Sequence, residues 1–238
     1  MRFLKGANIM ERRLDAWLSN LGYSTRKDAK KFLKQNDLTV NGVKQKYPSF
    51  KAKHEEILLN GEPLDPQNIL ILMNKPPRTI CSHKDDGALI FNLLPARWAF
   101  RIPKVSTIGR LDADTTGAIL ISDNGELNHK LTSPRSSVSK VYEVTLADPL
   151  KGDESDIFAS GELMLKNEDK PCLPAKLNII NDKLVHLEII EGRYHQVKRM
   201  FAALGNKVEK LHRVSFAGLT VEDLKEGEYK FINIDDIK

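Results

Sequence analysis

Gly109-Arg110-Leu111-Asp112-Ala113-Asp114-Thr115-Thr116-Gly117 runs directly into the apolar stretch Ala118-Ile119-Leu120-Ile121-Ser122. A polar loop bounded by glycines therefore feeds a short buried strand. The glycines permit sharp turns and close approach by another group, and between them sit one arginine, two carboxylates and two hydroxyls. On pattern alone an ordinary surface loop, a calcium loop and a reactive loop compete. Calcium is the weakest of the three, because the acids do not recur at EF-hand positions and no glutamate closes the loop. Asp114 is expected to hydrogen-bond the loop's own backbone.

Outward from this loop the chain reads as strands and turns. Ile69 to Met73 is a buried strand that runs into Asn74-Lys75-Pro76-Pro77, where two prolines stop the pairing. Lys140 to Leu146 alternates, with Tyr142, Val144 and Leu146 on one face and Val141, Glu143 and Thr145 on the other. Lys176 to Ile180, Asn181-Asp182 and Leu184 to Ile190 form a hairpin. A helix is predicted from about Tyr194, with Val197, Met200, Phe201 and Leu204 as its apolar stripe and Gly205-Asn206 at its end. This part of the chain, from residue 69 to residue 238, is expected to be α+β with a largely antiparallel mixed sheet.

The N-terminal part is a different unit. Leu14, Trp17, Leu18 and Leu21 fall at i, i+3, i+4 and i+7, one stripe of an amphipathic helix that Gly22 is placed to end. Ser24 is expected to cap a second helix with Ala29, Phe32 and Leu33 on its buried face and Lys27, Lys30, Lys31 and Lys34 on the other. Leu38-Thr39-Val40 then enters a hairpin at Asn41-Gly42, and a second Asn-Gly, at residues 60 and 61, follows Ile57-Leu58-Leu59. Residues 12–62 therefore make a small α/β unit, a linker at 63–68 around Pro63-Leu64-Asp65-Pro66 follows, and residues 1–11 are an N-terminal extension.

Charge separates the two parts. Between Arg12 and Lys53 eleven basic side chains face three acidic ones, so this segment is +8 in a chain whose net charge is +5. All the excess positive charge sits in one short unit, the footprint of a phosphate-binding module, with a solvated lysine-rich surface as the bland alternative. The longest apolar runs are five residues, such as Ile69 to Met73, far too short to cross a bilayer. Met1 to Gly6 lacks the apolar core of a signal peptide. Two cysteines, Cys81 and Cys172, with no CxxC, suggest neither a disulfide framework nor a zinc site, so a reducing cytoplasm is expected.

Arg13-Leu14-Asp15, Ser24-Thr25-Arg26 and Val40-Asn41-Gly42, in that order, resemble the S4 domain of ribosomal proteins and RNA-modifying enzymes. Beyond it, GRLDADTTG at 109–117, NKP at 74–76, SPRSSVSKVYEV at 133–144 and EGRYHQVKRMFAALGN at 191–206 closely resemble the RsuA branch of pseudouridine synthases, which also carries an N-terminal S4 domain. The resemblance implies a nucleophilic role for Asp112, an active-site tyrosine in Tyr142, a basic partner for the aspartate in Lys198, and an arginine, Arg110, pushed toward the space the target base leaves. It implies ribosomal RNA as the partner, 16S first and 23S as the alternative, either free or in a partly assembled small subunit. No cofactor, no metal and no membrane are implied, and a monomer is expected. Ser136-Ser137-Val138-Ser139 replaces what is often a His-His-Cys-Glu run, and Met1 to Glu11 precedes the usual start, so Met10 is a second candidate initiator.

The implied chemistry breaks the N1–C1′ bond of a uridine, rotates the uracil and rejoins it through C5. A carboxylate splits that step by holding the detached sugar, and a lysine beside it keeps it ionised. Asp112, Tyr142 and Lys198 should then meet in one cleft, with carboxylate and ammonium within roughly 4 Å. Arg193, His195 and Arg199 are expected to contact RNA backbone together with Arg110, and Arg26, Lys27, Lys30, Lys31 and Lys34 to do so from the first unit. The plain alternatives are a core tyrosine on an alternating strand and a solvated basic helix face. A reading from another class is a non-catalytic RNA-binding or assembly factor built on the S4 unit.

Overall fold

The computed structural model describes residues 10–133 and 136–237. The 1–11 extension lies outside them up to residue 9, as do Pro134 and Arg135 of the 133–144 motif. Two units separate by their internal contacts. The first comprises residues up to Ile69 together with Leu94–Ser106 and Ser122–Gly125, and the second the remainder.

In the first unit, β1 (Arg12–Arg13) leads into α1 (Leu14–Asn20), and α2 (Ala29–Gln35) follows. Leu14, Trp17, Leu18 and Leu21 are all buried, and with Ala29, Leu33, Leu38, Val40 and Ile57 they form one core. The apolar stripe thus does what its spacing requires: it places four large side chains on one side of the helix. Trp17 also donates its indole N–H to the Ala52 carbonyl at 2.9 Å, so its one polar atom is satisfied inside the core. Ser24 does not cap α2. Its hydroxyl donates to the Thr25 carbonyl, and residues 25–28 form a separate turn in which the Asp28 N–H reaches Thr25, so the helix opens only at Ala29. Lys27, Lys30, Lys31 and Lys34 are exposed, opposite buried Ala29 and Leu33.

Strands β2 (Leu38–Val40), β3 (Val43–Lys44), β5 (Ile57–Leu59) and β6 (Glu62–Pro63) form a four-stranded antiparallel sheet, while β4 (Lys51–Ala52) pairs with β1. Asn41, Gly42, Asn60 and Gly61 all have positive φ, as two-residue hairpins of the I′ kind demand at both central positions. Pro63-Leu64-Asp65-Pro66, read as a linker, is packed: Leu64 belongs to the core, and the Asp65 carboxylate takes two hydrogen bonds from Arg97 at 2.6 and 2.7 Å and one from the Trp98 indole. Deeper still, Arg101 and Asp123 form an ion pair at 2.8 Å with side chains 1% and 3% exposed.

The second unit is built on a nine-stranded mixed sheet. Its strands are β7 (Leu70–Lys75), β8 (Ser106–Ile108), β9 (Thr116–Ser122), β10 (Lys140–Leu146), β11 (Lys176–Ile179), β12 (Leu184–Ile189), β13 (Val208–Phe216), β14 (Leu219–Thr220) and β15 (Tyr229–Phe231). The order is β11-β12-β10-β13-β9-β7-β15, with β14 on β13 and β8 on β9. Strand β10 is antiparallel to both its neighbours, and the β13–β9 pair is parallel. Helices α3 (Gly125–Thr132), α4 (Glu154–Ser160) and α5 (Gln196–Ala203) accompany the sheet. The chain is α+β.

Alternation along β10 is real: Tyr142, Val144 and Leu146 are buried and the residues between them are not. The β11–β12 hairpin forms as its pattern requires. Helix α5 begins at Gln196, two residues later than expected, because His195 takes a left-handed conformation with φ +46 and turns the chain before the helix. Val197, Met200 and Phe201 are its buried apolar residues, and Phe201 meets Phe158 edge-on at 5.2 Å. Among the described residues no helix is long and apolar enough to cross a membrane.

Candidate active site

The 109–117 loop is anchored from below. Lys75, fully buried at the end of β7, donates its ammonium to the carbonyls of Thr115 at 2.8 Å, Ala113 at 3.3 Å and Pro76 at 3.2 Å. Burial pushes the Lys75 pKa down, against the pull of Cys81, Asp114 and Asp112. The Arg78 N–H also binds the Ala113 carbonyl at 2.7 Å, and the Thr115 N–H returns to the Asp112 carbonyl at 3.1 Å. At the loop's end Gly117 has φ +103, and a Cβ there would lie 2.2 Å from the Arg213 carbonyl oxygen. Glycine at 117 thus lets β9 lie directly against β13.

This anchoring presents Asp112, whose carboxylate is flanked by two bases from the start of α5. His195 Nε2 is 3.2 Å from Asp112 Oδ1, and Lys198 Nζ is 3.3 Å from Oδ2. The expected approach of Lys198 to Asp112 within roughly 4 Å is present, but Asp112 is not the nearest partner of Lys198. Its ammonium donates to Asp114 at 2.7 and 2.9 Å. Asp114, expected to bond its own loop, is therefore an ion-pair partner, and the lysine holds its pKa below the usual carboxylate value. Burial works against the charged ammonium of Lys198, but hydrogen bonds and attraction from the two carboxylates outweigh it, and its pKa is raised.

Tyr142, 8% exposed, lines the same cavity of about 450 Å³ as Asp112, Arg110 and His195. Directly across the strand pair from Tyr142 is Arg213, whose guanidinium carbon lies 6.0 Å from the tyrosine ring centre. Arg110 is exposed at the cavity. The structure thus brings together Asp112, Lys198, His195, Tyr142 and Arg110. His195 is placed differently from expectation. As an aspartate partner it escaped notice because its position depends on the left-handed turn that stacks it on Tyr194 at 3.8 Å and aims it back at the loop.

Arg193 and Arg199 also depart from expectation. Arg193 donates to Glu191 at 3.0 Å, to the Lys170 carbonyl at 2.6 Å and to the Pro171 carbonyl. Arg199 donates to Glu168 at 2.7 Å, to the Lys166 carbonyl at 2.5 Å and to the Tyr194 carbonyl at 3.1 Å. Their donors fasten the 166–171 segment to α5 and the residues just before it. The pattern of a solvated basic face missed this because the acceptors are mainly carbonyls of a distant loop. Arg26, Lys27, Lys30, Lys31 and Lys34 belong to the first unit and are exposed.

Residues 69–203 match the family model described as RNA pseudouridylate synthase, and residues 12–58 match the S4 domain. The ribosomal small subunit pseudouridine synthase A of Pasteurella multocida is 42% identical over 230 residues, covering 94% of this chain and 97% of that protein. The protein of the same name from Escherichia coli K12 is 39% identical over 232 residues, covering 94% and 98%. A crystal structure of a pseudouridylate synthase aligns with TM-score 0.67 at 40% identity, over 94% of this chain and 97% of that one.

Proposed function

The chain belongs to the RNA pseudouridylate synthase family, and from that premise we propose that it isomerises one uridine of small-subunit ribosomal RNA to pseudouridine in the cytoplasm, with Asp112 as the reacting carboxylate. The observation that carries this reading is the convergence of Asp112, His195 and Tyr142 on one cavity, with Lys198 against the Asp112 carboxylate, all drawn from parts of the chain far apart in sequence. The target base leaves its stack at a cost of a few kcal/mol, and Arg110 fills the gap. Lys198 and His195 keep the Asp112 carboxylate aimed. Asp112 then takes the sugar as an ester at C1′, or draws the C2′ proton to give a glycal, while Tyr142 stacks on the freed uracil near the C5 proton that must leave. Residues 69–238 carry this chemistry.

Residues 12–62 supply affinity through phosphate contacts from Arg26, Lys27, Lys30, Lys31 and Lys34. The named small-subunit activity of the relatives supports the choice of RNA. Pseudouridine mapping in ribosomal RNA from cells lacking this protein tests the proposal. One small-subunit site should vanish, return with the wild-type gene and stay absent with Asp112→Asn. An unchanged map would overturn the reading, and loss of a large-subunit site would overturn the choice of RNA.

A further inference from the structure

Arg213 is a buried charge that the site described so far does not use. It is 3% exposed, in the middle of β13, on the same face as Tyr142. Its Nε donates to the Ala118 carbonyl at 2.6 Å, while its Nη2 is shut off from solvent and has no hydrogen-bond partner among the described residues. Among the described residues no carboxylate lies within ion-pair distance of it. Its guanidinium carbon lies 4.7 Å from the Phe216 ring centre and 6.0 Å from that of Tyr142, and the residue lines the cavity that holds Asp112. A second cation, Lys140, lines the cavity too, with its ammonium 5.7 Å from Phe216.

Burying an uncompensated charge costs several kcal/mol per ion, so the usual solution is a partner. Here the partner carboxylate is missing, and the faces offered to the guanidinium are aromatic rings. Such an arrangement suits an anion that exists in the cavity only during turnover. The reaction proposed above makes one. Breaking N1–C1′ sends the bonding pair to N1 and frees the uracil as an anion, its charge spread over N1, O2, N3 and O4. The sugar meanwhile is held as the Asp112 ester, or has passed its C2′ proton to Asp112 as the glycal. After rotation C5 attacks C1′, and the ester bond breaks or C2′ takes back its proton. C5 then loses its proton to a base and N1 gains one. On either route the uracil is anionic between the two bonds.

We propose that Arg213 is the fixed positive charge that stabilises the detached uracil anion, the Tyr142 and Phe216 rings holding it in place. The inference rests on the proposed isomerisation. A charge preset where negative charge develops is worth more than one that must reorient. Gly117 and the Ala118 carbonyl fix its position: the first lets β13 approach, and the second ties down Nε.

The test compares two leaving groups. Small-subunit ribosomal RNA is transcribed with uridine or with 5-fluorouridine, whose fluorine stabilises the uracil anion by itself. Single-turnover loss of the intact N-glycoside at the target is followed by nuclease digestion and mass spectrometry. With uridine, Arg213→Met should slow this step by about 10²–10³-fold, the typical loss of a preorganised charge-stabilising donor, with RNA affinity unchanged. With 5-fluorouridine the penalty should shrink by about tenfold, one pKa unit's worth. Arg213→Lys should recover part of the rate. Should the methionine variant fail to fold, Arg213→Lys carries the same comparison, since its smaller penalty must also shrink with fluorine. Equal penalties on the two RNAs, or a loss explained by weaker RNA binding, would overturn the role of Arg213. Wild-type protein inactive on both RNAs would instead overturn the proposed isomerisation.

Discussion

Lys198 touches two carboxylates, and separating their roles gives the most demanding prediction. Asp114 holds the shorter contacts, 2.7 and 2.9 Å against 3.3 Å to Asp112. By distance alone Asp114 would be the important partner. Exposure reverses the order. The Asp114 side chain is 73% exposed, whereas Lys198 and Asp112 are 25% and 29% exposed. An ion pair with one member in water contributes about 0.2–1 kcal/mol. A charge-assisted contact in a half-buried site contributes about 1.5–3 kcal/mol.

At about 1.36 kcal/mol per decade of rate, Asp114→Asn should slow single-turnover isomerisation by less than about fivefold. Lys198→Met should slow it by about ten- to a hundredfold by the same conversion, and Lys198→Arg should keep part of the activity. The double variant Lys198→Met with Asp114→Asn should be no slower than Lys198→Met, because Asp114 acts on the chemistry only by sharing the lysine. The assay is tritium release from RNA labelled at uracil C5, with enzyme in excess so that binding is saturated. If Asp114→Asn were as inactive as Asp112→Asn, the assignment of the two carboxylates would be refuted. If Lys198→Met matched wild type, the support of Asp112 by Lys198 would fall.

Three further outcomes are expected. Replacing Lys27, Lys30, Lys31 and Lys34 by alanine should weaken binding to ribosomal RNA fragments and flatten the log–log salt slope by about 0.7 for each single-strand phosphate that is no longer neutralised; equal slopes in salt titrations would sink the phosphate-binding role of these four lysines. Asp123→Ala leaves the Arg101 charge buried without its partner, so urea unfolding should show a destabilisation of about 3–5 kcal/mol, and a value below about 1 kcal/mol would mean that Arg101 finds another solution. Burial and the neighbouring Arg213 push the Lys140 pKa from 10.5 down to about 8. Between those values the unfolded chain binds more protons than the folded one, so folding gains from this group as pH rises. Lys140→Met should therefore melt above wild type near neutral pH, with a gap that narrows from about pH 8 upward; a gap independent of pH would contradict it.

Features fixed by a few adjacent residues were legible in the sequence. The stripe of Leu14, Trp17, Leu18 and Leu21 needs only helical spacing, and the two Asn-Gly turns need only residues that tolerate positive φ. The alternation through Tyr142 needs only a two-residue period. What escaped depends on distant partners. Nothing near Pro63 to Pro66 announces that Arg97 and Trp98 will seize Asp65. Arg193 and Arg199 have the spacing of a solvated face, and only the fold brings Glu168 and the carbonyls of 166–171 to them. His195 required knowing that one backbone angle would be left-handed.

The same distinction shows in how the site is braced by partners distant in sequence. Asp112 sits on a loop whose carbonyls at 113 and 115 are gripped by the buried ammonium of Lys75, and whose turn is closed by its own Thr115 N–H. Its carboxylate is then flanked by His195, just before α5, and by Lys198 within that helix, which is fastened in turn by Phe201 against Phe158 and by the Arg193 and Arg199 ties. Each support comes from a different element, so the ordering that catalysis requires is accomplished during folding and not again at each encounter. Arg213 follows the same logic from β13. Its backbone is pressed against Gly117 at the loop's end, so the glycine that lets the strands meet also fixes the distance between the Asp112 loop and the buried Arg213 charge. A side chain at 117 would push β13 away, and the site would lose its geometry even with Asp112, Tyr142 and Lys198 all present.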